Sequence, residues 1–263
     1  LACPASPVHY QYNPIRTLKM GTLAMYNVLG MAARLKVPIL QASTSEIYGD
    51  PEIHPQVESY WGNVNPIGPR ACYDEGKRFA ETLVATYREA YKIDAKIIRP
   101  FRTYGPRLKL YDGHMISDFV EAALDNKDVV IYGNEHFASS LTYISDVVHA
   151  AITLMKSDLP GPYNVGDDMK IVLSEVAQKV IAQTGSKSKI VYKDPLEFMT
   201  PLPLPDIAKI KNDLGWFPIV RIDEGLKLTI DYLRAHKGLL GIGGAEANSD
   251  DKQEEHSSDS PSV

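Results

Sequence analysis

The 263 residues carry a formal net charge of −5, with 44% hydrophobic and 23% charged residues, a balance that suits a globular chain with one substantial core. No run of about 18 apolar residues is present, which argues against a membrane helix, and the acidic balance argues against a nonspecific nucleic-acid binder. With Cys3 and Cys72 as the two cysteines and no CxxC or Cys/His cluster, neither a disulfide framework nor a structural zinc site is indicated, and a reducing, cytoplasmic setting is expected.

The opening Leu1-Ala2-Cys3-Pro4 has no signal-peptide pattern and reads as a sequence entered midway. From Thr17 to Leu35, apolar residues recur at helical spacing, and Pro38 follows as a stop. Val37–Ala42 is expected to be a short buried strand. A second helix-to-strand pair follows, Tyr73–Tyr91 and then Ala95–Arg99, closed by Pro100. The order continues with a helix around Ile116–Leu124, a strand Val129–Tyr132 and a helix Ser145–Lys156 with Ser145 as its N-cap. Tyr163–Gly166 reads as a strand ending in a turn, Leu173–Thr184 and Asp223–Ala235 as amphipathic helices, and the four prolines of Pro195–Pro205 demand a loop.

Helices alternating with apolar strands predict an α/β fold, a Rossmann-like parallel sheet beside a smaller C-terminal lobe. Residues 1–105 with about 129–157 are assigned to the sheet domain, and about 106–128 with 158–237 to the lobe. Gly-rich Gly238–Gly244 leads into Ala245–Val263, which holds almost no large apolar side chain and many Ser, Asp and Glu, so a disordered acidic tail is expected over 238–263.

The chemistry concentrates in residues 43–77. Tyr73 and Lys77, four apart at a helix start, share one helix face. A tyrosine of pKa about 10 is a poor base at neutral pH; an adjacent ammonium favours the phenolate, and reaching a value near 7 takes about 4 kcal/mol. YxxxK alone is weak, but Ser43-Thr44-Ser45-Glu46 follows the strand ending at Ala42, where open parallel sheets place ligand sites. Its hydroxyls can meet both the Tyr73 phenol and a reacting substrate hydroxyl. His9, His54, His114, His136 and His149 lack ligand spacing, and Trp61 and Trp216 are expected to pack.

The run Tyr60-Trp61-Gly62-Asn63-Val64-Asn65-Pro66-Ile67-Gly68-Pro69-Arg70-Ala71-Cys72-Tyr73-Asp74-Glu75-Gly76-Lys77-Arg78 closely resembles the UDP-glucuronate decarboxylases. These are extended short-chain dehydrogenase/reductases of the NAD-dependent epimerase/dehydratase family. Ala5-Ser6-Pro7 and Thr103-Tyr104-Gly105-Pro106-Arg107 look like the same family, and the likeness thins toward Arg234.

The resemblance implies a recycled NAD, oxidation of a UDP-sugar at C4, loss of carbon dioxide and return of the hydride. It makes Tyr73 the general base, Lys77 its partner and a holder of the nicotinamide ribose, and Thr44 the hydroxyl partner. Ser45 and Glu46 face the sugar; Ser43, Arg99 and Pro100 join Tyr73 and Lys77 at the cofactor. Ser6, Pro7, Arg102, Thr103, Arg107 and Tyr132 are assigned to the nucleotide sugar, although a strand end accounts equally well for Tyr132. A homodimer through the two long helices is implied too.

Ser45 separates the chain from related 4,6-dehydratases, which usually carry Asp there, and Glu46 from 4-epimerases. Three departures stand out. No GxxGxxG follows a first strand, so the chain is expected to start well inside the family's usual length. Ser139 stands where an arginine usually meets the substrate carboxylate, and the arginine expected before Pro205 is replaced by Leu or Pro. Arg102 stands where an Asn is usual, and either joins Arg107 at the diphosphate or forms a surface ion pair. The readings left open are a related 4-epimerase or 4,6-dehydratase, and a noncatalytic binding or assembly subunit.

Overall fold

The computed structural model describes residues 3–237 apart from 109, 111–112, 197–198 and 201, so the expected acidic tail lies outside the described residues. In chain order come helices α1 Pro7–Tyr12, α2 Pro14–Gly21 and α3 Leu23–Leu35, strand β1 Ile39–Ala42, a 3₁₀ turn Ser45–Tyr48, helix α4 Ala71–Tyr91 and strand β2 Ala95–Pro100. Then follow β3 Thr103–Tyr104, α5 Met115–Leu124, β4 Val129–Tyr132, β5 Ala138–Ser139, β6 Thr142–Tyr143, α6 Ile144–Met155 and β7 Tyr163–Val165. The last elements are β8 Ile171–Val172, α7 Leu173–Thr184, β9 Ile190–Lys193, α8 Ala208–Leu214 and a helix α9 over residues 222–237.

Strands β1, β2 and β7 form a parallel sheet in that order, with Ile39 opposite Ala95 and Ile98 opposite Tyr163. Helices α3 and α4 each end on a lysine in the left-handed region, Lys36 (φ 54°) and Lys92 (φ 53°), and each turns into its strand within four residues. A cation there also suits the negative end of the helix dipole. Met25 and Leu29 of α3 and Ala80 and Val84 of α4 pack with Ala95 and Ile97 of β2. On the other face Val147, Ala150 and Leu154 of α6 meet Ile98, Tyr163 and Trp216. A separate core joins α5, β4, α7 and α9 through Phe119, Ile131, Val176, Val180, Leu226 and Ile230.

The structure corrects three expectations. The helix expected over Thr17–Leu35 is two helices broken at Thr22 (φ −108°, ψ −76°), because Gly21 lets the α2 backbone press on α4 at Gly76. The cap of α6 is Tyr143 in extended conformation, since β6 runs straight into the helix, and Ser145 lies inside it. Trp216 packs as expected at 2% exposure, whereas Trp61 is 87% exposed on the long connection between the 3₁₀ turn and α4.

The α2–α4 crossing fixes the turn of α4 that carries Tyr73 and Lys77. A Cβ on Gly21 would sit 2.9 Å from the Gly76 backbone, closer than real Cβ contacts come. Gly21→Ala is therefore expected to lower stability by about 1–3 kcal/mol in urea or thermal unfolding. Gly30→Ala, whose Cβ meets just the Tyr87 hydroxyl at 4.0 Å, is expected to be neutral or stabilising by up to about 1 kcal/mol.

Candidate active site

The site forms at the carboxyl end of β1. The Ser43 N–H donates to the Ile98 carbonyl at 2.8 Å and carries the pairing one residue past the strand. Thr44 stays extended, and its Oγ1 accepts from the Glu46 N–H at 3.2 Å, capping the 3₁₀ turn. This cap directs the buried Ser45 into the protein. The Ser43 hydroxyl is also buried and has no hydrogen-bond partner among the described residues.

Helix α4 lays Tyr73 and Lys77 over this strand end. The Tyr73 hydroxyl faces the Thr44 side chain, whose hydroxyl favours the phenolate. Lys77 donates from Nζ to the Ala42 carbonyl at 2.9 Å, and its Nζ lies 5.6 Å from the Tyr73 ring centroid. Tyr10 stacks on Tyr73 with centroids 5.3 Å apart and planes 15° from parallel. Thr44, Tyr73 and Lys77, three of the residues expected to work together, are thus brought together.

Their electrostatics run against the sequence expectation. Burial pushes the Tyr73 phenol above its ordinary value, helped by the Glu46 charge and opposed by the Thr44 hydroxyl. Burial also lowers Lys77. The ammonium spends its visible hydrogen bond on a carbonyl, and desolvation of the phenolate outweighs any attraction between the two.

A second cluster surrounds Glu46. Thr200, from the proline-rich loop, donates its hydroxyl to Glu46 Oε2, and Arg70 donates to that hydroxyl at 2.7 Å. Arg70 also lies 3.9 Å from Glu46 Oε2, donates to Asp50 at 2.7 Å and reaches Asp74 at 3.4 Å. Burial would lower Arg70, but Glu46, Asp50 and Asp74 raise it. Asp74 is 2% exposed, and its Oδ1 has no hydrogen bond among the described residues. Burial first, then the Glu46 charge, pushes its carboxyl from 3.8 up to about 8 despite Arg70. Sequence reasoning missed Arg70, Asp74 and Thr200. The four-residue spacing of Arg70 and Asp74 was a readable signal, whereas nothing in the sequence marked Thr200.

The remaining expected residues divide. Ser6 is buried and caps α1 just ahead of Pro7, and Thr103 Oγ1 donates to the Phe101 carbonyl at 2.8 Å. Arg102 reaches the Thr200 carbonyl at 3.3 Å and so joins the Glu46 cluster. Arg107 is exposed, Tyr132 ends β4, and neither hydrogen-bonds to the cluster among the described residues.

Arg99 departs from the cofactor contact expected of it. Its Nε and Nη2 grip Glu81 at 2.9 and 2.7 Å, and its Nη1 binds the Tyr48 hydroxyl and Glu58 carbonyl, which makes it a framework residue beside Pro100. Ser139 is fully buried in β5, bonded to the Ser140 carbonyl. No group of three or more His, Cys, Asp or Glu able to hold a metal occurs among the described residues, and no described helix is long and apolar enough to cross a membrane.

A carboxyl raised from 3.8 to about 8 by folding binds its proton more tightly in the native state than in the unfolded chain. Its contribution to stability is complete below about pH 3.8 and is lost as pH rises through about 8. Denaturant titrations of wild type and Asp74→Asn from about pH 3.5 to 9 are expected to converge at the low end and to diverge in favour of the variant as pH rises.

The sequence model of the GDP-mannose 4,6 dehydratase family matches residues 1–229. UDP-glucuronic acid decarboxylase 1 of Xenopus tropicalis is 44% identical over 234 residues, which is 89% of this chain and 56% of that protein. UDP-glucuronic acid decarboxylase 6 of Arabidopsis thaliana is 43% identical over 241 residues, 91% of this chain and 70% of that one. The chain thus spans little more than half the length of some curated relatives it matches. The solved UDP-glucose 4-epimerase of Thermus thermophilus in complex with NAD superposes with a TM-score of 0.78 at 25% identity, over 89% of this chain and 76% of that one. By sequence and by fold, the chain belongs to the GDP-mannose 4,6 dehydratase family of extended short-chain dehydrogenase/reductases, alongside the UDP-glucuronic acid decarboxylases.

Proposed function

We propose that the protein carrying this chain is an NAD-dependent UDP-glucuronate decarboxylase that makes UDP-xylose. The reading rests on one observation above others: Thr44, Tyr73 and Lys77 converge at the end of β1, with Glu46 held two residues from Thr44 by Thr200 and Arg70. Relatives at 43% and 44% identity bear that name. The described residues suit the nicotinamide-ribose end of NAD: Ser43 offers a buried hydroxyl without a partner, and Lys77 has donors left beside its bond to Ala42. No residue described here cradles the pyrophosphate.

NAD, when bound, accepts the C4 hydride of the sugar and later returns it. Tyr73 takes the C4 hydroxyl proton as the hydride leaves, and Thr44 aligns the hydroxyl. The Lys77 ammonium beside the phenol offsets in part the burial that otherwise keeps it protonated. The resulting C4 ketone is β to the C5 carboxylate. Its C–C bond breaks, carbon dioxide departs, and the electron pair passes into the C4–C5 enolate. Glu46 faces C5, to which solvent water then supplies a proton, and Tyr73 returns its proton to the C4 oxygen as the hydride comes back.

The parallel sheet of β1, β2 and β7 forms the cofactor side, and the core of α5, β4, α7 and α9 the sugar side, with Thr103, Arg107 and Tyr132 lining the nucleotide. Exposed Leu23, Tyr26 and Met31 on α3 and Phe79 and Tyr91 on α4 suit burial in a homodimer. Two free cysteines suit a reducing, cytoplasmic setting. The serine at position 139 keeps a 4-epimerase, a 4,6-dehydratase or a noncatalytic subunit as the second reading.

Full-length protein incubated with UDP-glucuronate and NAD is expected to release carbon dioxide and UDP-xylose, with Tyr73→Phe slower by at least about 100-fold in kcat. An epimerised or dehydrated product would favour the first two alternatives, and no NAD binding on titration the third.

A further inference from the structure

We infer that Arg102 receives the C5 carboxylate of the sugar, taking over at this site the task that related enzymes give to an arginine at the position of Ser139. The inference rests on the proposed decarboxylase reading and names the group that selects its substrate.

The usual position cannot serve. Ser139 is fully buried in β5 with its hydroxyl turned to the Ser140 carbonyl, and Pro203 and Leu204 fill the stretch before Pro205. A uronic acid still has to be told from a neutral sugar, and a guanidinium is the group whose donors match a carboxylate two at a time.

Of Arg70, Arg99 and Arg102, Arg102 keeps the most donors unbonded among the described residues. Arg99 is bidentate on Glu81 and bound to Tyr48 and Glu58. Arg70 is engaged by Asp50, Asp74 and Thr200. Arg102 makes one hydrogen bond, from Nη2 to the Thr200 carbonyl at 3.3 Å, and no ion pair among the described residues. A half-buried guanidinium with so few partners gains from an anion joining it. Burial already pulls Arg102 below the ordinary arginine range, and Glu46 pulls back in part.

Its place fits the C5 side of the sugar better than the diphosphate. Thr200 binds Arg102 through its carbonyl and Glu46 through its hydroxyl, so the guanidinium and the Glu46 carboxylate lie on two sides of a single residue. Glu46 is two residues from Thr44, which meets Tyr73 at C4. The diphosphate leaves the ring at C1, opposite C4, whereas the carboxylate leaves from C5, next to it. The loop holding Thr200 is tied down by Ser140 N–H to the Pro203 carbonyl at 3.2 Å and by Gln56 N–H to the Leu204 carbonyl at 2.8 Å, which gives Arg102 a fixed wall to rest on.

The product lacks the carboxylate, so the contact separates substrate from product. Calorimetric titrations of full-length wild type, Arg102→Asn and Arg102→Lys with UDP-glucuronate and with UDP-xylose test this. Arg102→Asn is expected to weaken UDP-glucuronate at least about tenfold and to change UDP-xylose less than about twofold, with Arg102→Lys between. Arg102→Lys carries the test if the Asn variant fails to fold, judged by its thermal midpoint. Equal weakening of both ligands would mark Arg102 as a diphosphate contact and overturn the inference, as would no change in either. A wild type that converts UDP-glucuronate while Arg102→Asn keeps its affinity overturns the Arg102 assignment alone. A wild type that binds no UDP-glucuronate overturns both readings.

Discussion

An ammonium buried against a strand end sets the geometry of this molecule. Lys77 reaches past the face of α4 to the Ala42 carbonyl, the last residue of β1, and that contact aligns the helix with the sheet. Tyr73, one turn earlier on the same face, is then carried to Thr44, and Thr44 in its turn caps the 3₁₀ turn that presents Glu46. Packing enforces the alignment from behind, where α2 and α4 cross with backbone against backbone at Gly21 and Gly76. The face that carries Tyr73 and Lys77 is therefore fixed by a hydrogen bond on one side and by the absence of two side chains on the other.

Charges in the fold are treated in two ways. Away from the site they are neutralised: Arg99 grips Glu81, and Lys179 pairs with Asp223. At the site, burial leaves ionisable groups incompletely compensated. Lys77 rests on a carbonyl, Arg102 on another, and Asp74 keeps one oxygen without a hydrogen bond. Such groups cost stability, and they concentrate where a ligand or a proton transfer can repay the cost. Arg70 binds the two halves of this arrangement, touching the helix through Asp74, the 3₁₀ turn through Glu46 and the proline-rich loop through Thr200.

Much of this was legible in the sequence, for reasons that differ by element. Long periodic segments such as Tyr73–Tyr91 and Leu173–Thr184 announced themselves because one apolar stripe must face a core. Val129–Tyr132 was readable as a run of β-branched residues between polar turns. The Thr22 break was hidden because it arises from how closely two helices approach, which no single helix encodes. The YxxxK pair and the strand-end hydroxyls were visible as spacing, but the direction of the Tyr73 shift was not, since it depends on burial that a sequence does not state. Arg99 looked like a cofactor ligand because its partner Glu81 lies 18 residues away and on another element. Thr200 was beyond reach for the same reason, 154 positions along the chain from Glu46.

The central claim is a redox-neutral decarboxylation run by Tyr73 at C4 and completed within one bound state. It is tested most directly by supplying full-length protein with UDP-glucuronate deuterated at C4 and analysing the product by mass spectrometry and NMR. The account predicts UDP-xylose that has lost C6 and still carries the deuterium at C4. A product that keeps C6, or UDP-xylose whose C4 deuterium has exchanged away, would contradict it.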